Sequence, residues 1–430
     1  MKEITLVELY ELYLKNQFIS KDSRNIQPNS IYFALKGDNF NGNLFAEEAL
    51  KKGAAYAIVD EQISSEDPRV FKVNDGLKTL QELAKLHRSK LNIPIIGITG
   101  SNGKTTTKEL IAAVLEKEYK TYYTKGNLNN HIGVPLSILE IKEFHQIAVI
   151  EMGANHQGEI AFLSTISDPD YGIITNIGKA HLEGFGGIEG VKKGKSELYK
   201  HLEKKQGKLF INGDDEVLLD LAPDLEQFKY GTNTGLFCEA HLERSQPTIK
   251  GSWKCDEQNG KIEAQIYGEY NFYNMLAAIC IGNYFNVSSP NIDAAIREYD
   301  STDNRSQLIK REDYTLLLDA YNANPSSMQK AIENFSARKA DAKVVILGDM
   351  FELGEDSAEE HKKIIELTEN QNFSLSVFVG SHFFKQKKSS KKLLFFEQSK
   401  EAKNWFDQFQ KSKHEILIKG SRGMALERIV

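Results

Sequence analysis

The sequence predicts an α/β protein of three domains: a small N-terminal α/β unit over residues 1–88, a central domain with a mostly parallel sheet over 89–303, and a Rossmann-like C-terminal domain over 304–430. Three observations carry this. The chain has 430 residues, and domains of roughly 150 residues make three the natural count. From Ile93 onward, apolar runs end in polar or glycine-rich turns and lead into helix-length segments, as parallel strands buried on both faces do. A second series of the same kind starts after about residue 303.

In order along the chain, the N-terminal unit reads as an amphipathic helix near 5–16, a strand Ser30–Leu35, a helix near 44–52, a strand Ala55–Val59 and a closing helix near 76–91. The central strands are Ile93–Ile98, Ile147–Ile150, Tyr171–Thr175 and Lys208–Ile211, with a helix-like run Lys108–Tyr119 after the first. Residues 230–268 are less regular and read as strands or loops completing that domain. The last series is Tyr314–Leu318, Val344–Leu347, Val377–Val379 and Ile416–Ile418. Chemistry in such sheets gathers at the carboxyl ends of the strands.

Hydrophobic residues make up 40% and charged residues 27%, enough for each domain to bury a core. The net charge of -6 gives no general attraction to nucleic acid or to an anionic membrane, so a bound phosphate needs a local site. No apolar run approaches the ~18 residues of a membrane span, and the charged start MKEITLVELYELYLKNQ is unlike a signal peptide. A soluble, cytoplasmic protein without membrane insertion is expected. Cys238, Cys255 and Cys280 show neither a CxxC spacing nor an even disulfide set, so three ordinary thiols are expected.

The sharpest motif is Gly97-Ile-Thr-Gly-Ser-Asn-Gly-Lys-Thr-Thr106, between a buried strand and a helix. Gly100, Ser101, Asn102 and Gly103 let backbone N–H groups curl around a phosphate; Lys104 can reach the outer phosphate oxygens, Thr105 can hold Mg²⁺, and Thr106 continues the loop. This predicts a P-loop-type mononucleotide site. The pattern departs from GxxxxGK[ST] because Ile98 stands five before Gly103, which argues against a generic motor or GTPase.

Other candidates lie at strand ends. Glu151 follows the strand Ile147–Ile150, where a carboxylate can hold Mg²⁺ or be an ordinary loop acid. His181 lies in the glycine-rich loop Thr175–Gly187. Lys195, crowded by Lys192, Lys193 and Lys200, reads by itself as part of a solvated basic helix. Asn271 and Asn274, three apart, can offer amides to a nucleotide or cap a helix. Arg305 can neutralise a transferring phosphate, and Asp319-Ala-Tyr-Asn-Ala-Asn-Pro325 follows the next strand. Lys419-Gly-Ser-Arg-Gly423 ends the last strand, and its Lys, Ser and Arg can take a carboxylate.

Together with Asp22-Ser-Arg24 and Phe33-Ala-Leu-Lys-Gly37, these segments resemble the Mur ligases, ATP-dependent amide-forming enzymes of peptidoglycan synthesis. Gly126–Leu136, Glu151–Ala154, Ala180–Phe185 and above all Tyr321-Asn-Ala-Asn-Pro325 are most similar to the members that join D-alanyl-D-alanine to UDP-N-acetylmuramoyl-tripeptide. The resemblance implies that the N-terminal domain holds the UDP-sugar, the central domain ATP, and the C-terminal domain the dipeptide. It places Lys104 and Thr105 in the phosphate loop, and Glu151 and His181 as ligands of magnesium, of which two ions are expected. It makes Lys195 a lysine that is carbamylated to hold the second ion. Lys104, Lys195, His181 and Arg305 then carry the catalysis. Asn271, Asn274, Arg305, Asp319, Tyr321 and Asn322 contact ATP, while Ser23, Arg24, Asn130, Asn324, Lys419, Ser421 and Arg422 face the other substrates. A monomer is expected.

Two positions depart from the family: Asn43, where relatives often carry His, and Leu318, where a second Asp is common. The rival readings are a Mur enzyme adding another amino acid, a folylpolyglutamate-type ligase, and a non-catalytic ATP-binding regulatory protein. The YNANP segment weighs against the first two, and Lys104, Glu151, His181 and Lys195 against the third.

Overall fold

The computed structural model describes residues 1–37, 39–301 and 304–430; the expected boundary at 303 lies outside the described residues. The first helix, Leu6–Asn16, opens on a capping box made by Thr5 and Glu8 and stops where Gln17 turns to φ +57. The N-terminal sheet has five parallel strands in the order Lys2–Glu3, Val70–Lys72, Tyr56–Val59, Ile31–Phe33, Ile19–Ser20. Asn43, the departure noted above, is buried and fully engaged: its carboxamide donates to Asp60 Oδ1 and accepts from Asp60 N–H, both at 2.9 Å.

Helix Gly76–Arg88 closes this unit but also packs on two central-domain helices, Gly133–Glu140 and Glu159–Ser167. At its end the Arg88 guanidinium donates to the carbonyls of Ser167 (3.0 Å) and Asp168 (2.8 Å) and to the Asp170 carboxylate (3.0 Å). Lys142 ties the same two domains. Its Nζ donates to the carbonyls of Gln17 (2.7 Å) and Leu139 (2.8 Å), the last turns of one helix from each domain, where the helix dipole favours a cation. Burial nevertheless pushes the Lys142 pKa down to about 8, against the pull of Glu140. Between about 8 and the unfolded lysine value near 10.4 the unfolded chain holds more protons than the folded one, so stability rises with pH there and is flat below. Urea unfolding midpoints at pH 7.5, 9 and 10 should show this slope in the native chain and a weaker one in Lys142→Met.

The central sheet has nine strands. Strand Ile95–Thr99 lies between Ile147–Glu151 and Tyr171–Ile174, parallel to both. Thr121–Tyr123 forms one edge, and Lys208–Asn212 and Glu226–Gly231 extend the other side. The order therefore reverses around Ile95–Thr99, which puts its carboxyl end at the switch point where such sheets bind ligands. The irregular stretch folds as Cys238–Arg244, Lys250–Cys255 and Gln258–Glu263, an antiparallel meander on that far side.

This meander corrects one expectation. Cys238 and Cys255 stand directly opposite in register and are joined as a disulfide; only Cys280, buried, is a thiol. Opposed residues in an antiparallel pair bring their Cβ atoms within disulfide reach. A separation of 17 residues gives no hint of that register.

The C-terminal sheet runs Gln307–Lys310, Thr315–Asp319, His414–Lys419, Ala342–Gly348, Leu375–Val379, Leu393–Phe396, parallel except for the first. Asp319 and Lys419 are register partners at the carboxyl ends of adjacent strands. No helix among the described residues is long and apolar enough to cross a membrane.

Candidate active site

At the end of strand Ile95–Thr99 the chain turns sharply under Thr175. Gly100 adopts φ +144, and a Cβ there would lie 2.0 Å from Thr175 Oγ1. Gly103, at φ +79, begins helix Lys104–Leu115, four residues earlier than the sequence pattern places it, and no side chain caps that helix. The N–H groups of its first turn therefore face the cavity with the positive end of the helix dipole, a ready anion site. Earlier in the loop, Ser101 N–H donates to the Asn176 carbonyl (2.9 Å) and Asn102 N–H to Asn176 Oδ1 (3.1 Å). The phosphate cradle is thus narrowed to Gly103–Thr106. Lys104 curls over its own loop, donating to the Gly100 carbonyl at 2.8 Å, and burial lowers its pKa while Glu151 opposes the shift.

Glu151, 1% exposed, is held from several sides. Its Oε1 accepts from Thr105 Oγ1 (3.2 Å) and Asn129 Nδ2 (2.7 Å), and Lys108 Nζ lies 3.6 Å from Oε2. Oε2 itself has no hydrogen-bond partner among the described residues. An orphaned carboxylate oxygen beside a threonine hydroxyl and a phosphate loop suits a hard divalent cation, which would supply the missing partner.

The surrounding cavity has a volume of about 500 Å³ and is shared by the central and C-terminal domains. Asn271 and Asn274 line it and are not caps, since helix Tyr270–Tyr284 begins after Glu269 without a side-chain cap. Asn271 Nδ2 donates to the Tyr267 carbonyl (2.6 Å) and Asn274 Nδ2 to Asn271 Oδ1 (2.9 Å), which presses the Asn274 carboxamide against Gly103. From the other domain, Asp319 accepts from Lys419 Nζ (2.6 Å) and Ser306 N–H (3.1 Å). The Arg305 guanidinium stacks 3.4 Å over the Tyr321 ring centroid, and its Nε has no hydrogen-bond partner among the described residues. Asn322 also lines the cavity, with its carbonyl on Lys419 Nζ at 3.2 Å.

Other expected residues also make contacts within the protein. Lys419 is committed to Asp319, and Ser421 Oγ accepts from Phe351 N–H (3.0 Å) while donating to the Ala323 carbonyl (3.3 Å). Both thereby brace the Asp319–Pro325 segment. Arg422, 61% exposed, lies 5.5 Å from the Tyr321 ring and keeps its guanidinium available apart from a 3.4 Å contact with Glu427. Asn130 lines the cavity while its Oδ1 accepts from Ile132 and Gly133 N–H at the start of a helix. His181 lines the cavity too, at φ +52, with Nδ1 paired to Glu352 of the C-terminal domain. That pair holds Glu352 below the usual carboxylate range.

Lys195 is not on a solvated face. It is 1% exposed, donates to the Ala154 carbonyl at 3.2 Å and lies 5.1 Å from the Phe185 ring centroid. Burial, with Lys104 adding to it, drives its pKa well below the ordinary lysine value. It sits one layer behind the cavity wall, under Ala154. Ser23 and Arg24 stay in the N-terminal domain away from this cavity: the Ser23 carbonyl takes Lys52 Nζ at 2.9 Å, and Arg24 pairs with Asp22. Among the described residues no three His, Cys, Asp or Glu side chains gather as a metal cluster. Three residues escaped the sequence reading: Lys108, Asn129 and Glu352. Lys108 left a signal, one helical turn after Lys104 on the same face, and Asn129 lies within the Gly126–Leu136 segment.

A glycine-rich loop at the switch point of a parallel sheet, facing Arg305 and Asp319 from a second Rossmann-like domain, defines an enzyme that works on a nucleoside triphosphate between two domains. Three family descriptions match the chain: "Mur ligase family, catalytic domain" over residues 15–88, "Mur ligase middle domain" over 98–282 and "Mur ligase, glutamate ligase domain" over 304–422. The chain belongs to the Mur ligase family. It is 35% identical to the UDP-N-acetylmuramoyl-tripeptide--D-alanyl-D-alanine ligase of Bacillus subtilis, over 96% of this chain and 92% of that one. Among solved structures, MurF from Acinetobacter baumannii superposes with a TM-score of 0.87 at 30% identity, covering 97% of this chain and 96% of its own. MurF ligase from Thermotoga maritima in complex with ADP does so with a TM-score of 0.84 at 26% identity and the same coverage.

Proposed function

We propose that this chain is the ATP-dependent ligase that joins D-alanyl-D-alanine to the terminal carboxylate of UDP-N-acetylmuramoyl-tripeptide. The observation that carries the reading is the shared cavity, in which one chain presents a phosphate loop, an under-coordinated buried carboxylate and, from a separate domain, Arg305 stacked on Tyr321. The γ-phosphoryl group passes to the tripeptide carboxylate, giving an acyl phosphate, and the dipeptide amine then displaces phosphate at that carbonyl. Transfer of this kind needs positioning and charge stabilisation rather than a protein nucleophile. Lys104 and Arg305 approach the transferring group from opposite domains. The N–H groups of Gly103–Thr106 hold the phosphates, and Asn271 and Asn274 set the helix start beside them. Closure of the C-terminal domain keeps water from the acyl phosphate.

Glu151 and Thr105 suit one magnesium ion, with His181 and carbamylated Lys195 for a second; such ions neutralise charge on phosphate oxygens. Carbamylation requires a neutral amine to attack CO₂ with loss of a proton. Burial, which lowers the pKa of Lys195, favours that form. Residues 1–88 hold the UDP-sugar through the region of Ser23 and Arg24, 89–303 hold ATP, and 304–430 receive the dipeptide, whose carboxylate suits Arg422. The working unit in this reading is one chain, in the cytoplasm.

Mass spectrometry of a reaction with Mg²⁺, ATP, UDP-N-acetylmuramoyl-tripeptide and either D-alanyl-D-alanine or single amino acids tests the reading. The expected product is the UDP-linked pentapeptide, formed only with the dipeptide and with stoichiometric ADP and phosphate. Product with a single amino acid would assign a different reaction within the same family.

A further inference from the structure

The C-terminal domain grips the phosphate loop itself. Asn324 Nδ2 donates to Asn102 Oδ1 at 2.7 Å, joining residues 222 apart. The remaining groups of Asn324 fix its orientation: Oδ1 accepts from Ser327 N–H (2.9 Å), capping helix Pro325–Ser336, and its own N–H donates to Ser327 Oγ (3.1 Å). The cap therefore aims the amide nitrogen across the domain seam. On the loop side, the Asn102 carbonyl accepts from Thr175 Oγ1 (2.6 Å) and Asn176 Nδ2 (2.9 Å), and its N–H is held by Asn176. With the backbone clamped below, the Asn102 side chain is the handle left at the loop tip. The adjacent seam contact, Lys179 N–H to Ser326 Oγ at 2.9 Å, runs alongside it.

We infer that Asn324 is a positioning residue for phosphoryl transfer. Its bond to Asn102 couples closure of the C-terminal domain to the geometry of the phosphate loop, so that Lys104 and Arg305 reach the transferring group in one motion. A neutral amide pair suits this task, because it breaks readily each time the domain opens and adds no charge beside the phosphates. The inference rests on the nucleotide reading of the cavity.

Asn324→Ser separates the two jobs of the residue. Serine caps helices about as well as asparagine, but its hydroxyl is too short to reach Asn102. Asn102→Ala removes the other half. Each is expected to lower kcat about ten-fold, the scale of one lost hydrogen bond at a site that must close, while ADP affinity changes by about two-fold or less. The double variant should be no slower than either single one. Dyes on the central and C-terminal domains should report weaker closure with ADP and Mg²⁺ in the variants. Native kcat in Asn324→Ser, or losses that multiply in the double variant, overturns the inference alone. Native enzyme that neither binds ADP nor consumes ATP removes the nucleotide reading, and the inference with it.

Discussion

Lys195→Ala should lose ligation about 10³-fold or more while keeping its fold, with part of the activity returning in formate or acetate. The scale is that of removing one preorganised charge-stabilising group from a water-excluded site. Lys195 is buried with no carboxylate in salt-bridge contact among the described residues, an arrangement that costs stability unless the amine is neutral. Alanine opens a space behind Ala154 into which a short carboxylate can enter and stand where the carbamate oxygens would be. Initial rates with and without the added anion, beside thermal melts, separate the outcomes. Unchanged activity in the variant would end the assignment, and a folded, inactive, unrescued variant would count against the carbamate while leaving Lys195 needed for activity.

Gly100→Ala is expected to abolish ADP binding and to destabilise the chain by roughly 3 kcal/mol or more, the range of backbone strain combined with a close backbone clash. The intruding methyl would meet Thr175 Oγ1 at 2.0 Å and Thr175 N at 3.0 Å. Thr175 cannot retreat without releasing the Asn102 carbonyl it holds. Gly126→Ala is the control. It shares a positive φ, +54, but a Cβ there meets nothing within 4 Å, so a loss of about 1 kcal/mol is expected. Nucleotide titration and melting curves of the two variants give the comparison.

What was legible in the sequence follows a physical line. The phosphate loop and the Asp319–Pro325 segment could be read because their function lies in a local strand-to-helix turn, where glycine, Asn and Pro positions are dictated by nearby backbone. Lys195 looked bland because its neighbours are charged; burial under Ala154 and beside Phe185 is tertiary. The Cys238–Cys255 pairing depends on a strand register that no spacing encodes. Ser421 and Lys419 have the chemistry to hold a carboxylate, and they also brace the segment that presents Tyr321, which no local pattern reveals. Lys108 showed only in its spacing from Lys104; the approach of its ammonium to 3.6 Å from Glu151 Oε2 is tertiary.

Helix Gly76–Arg88 belongs to both of its neighbours, and that decides where the chain can be divided. Severed after Arg88, the central portion would lose the guanidinium that satisfies Ser167 and Asp168 and would bare the apolar side of helix Gly133–Glu140 to water. A shortened protein meant to retain only the nucleotide-handling part would therefore keep this cover if it began ahead of residue 76, and would lose it if it began at 89.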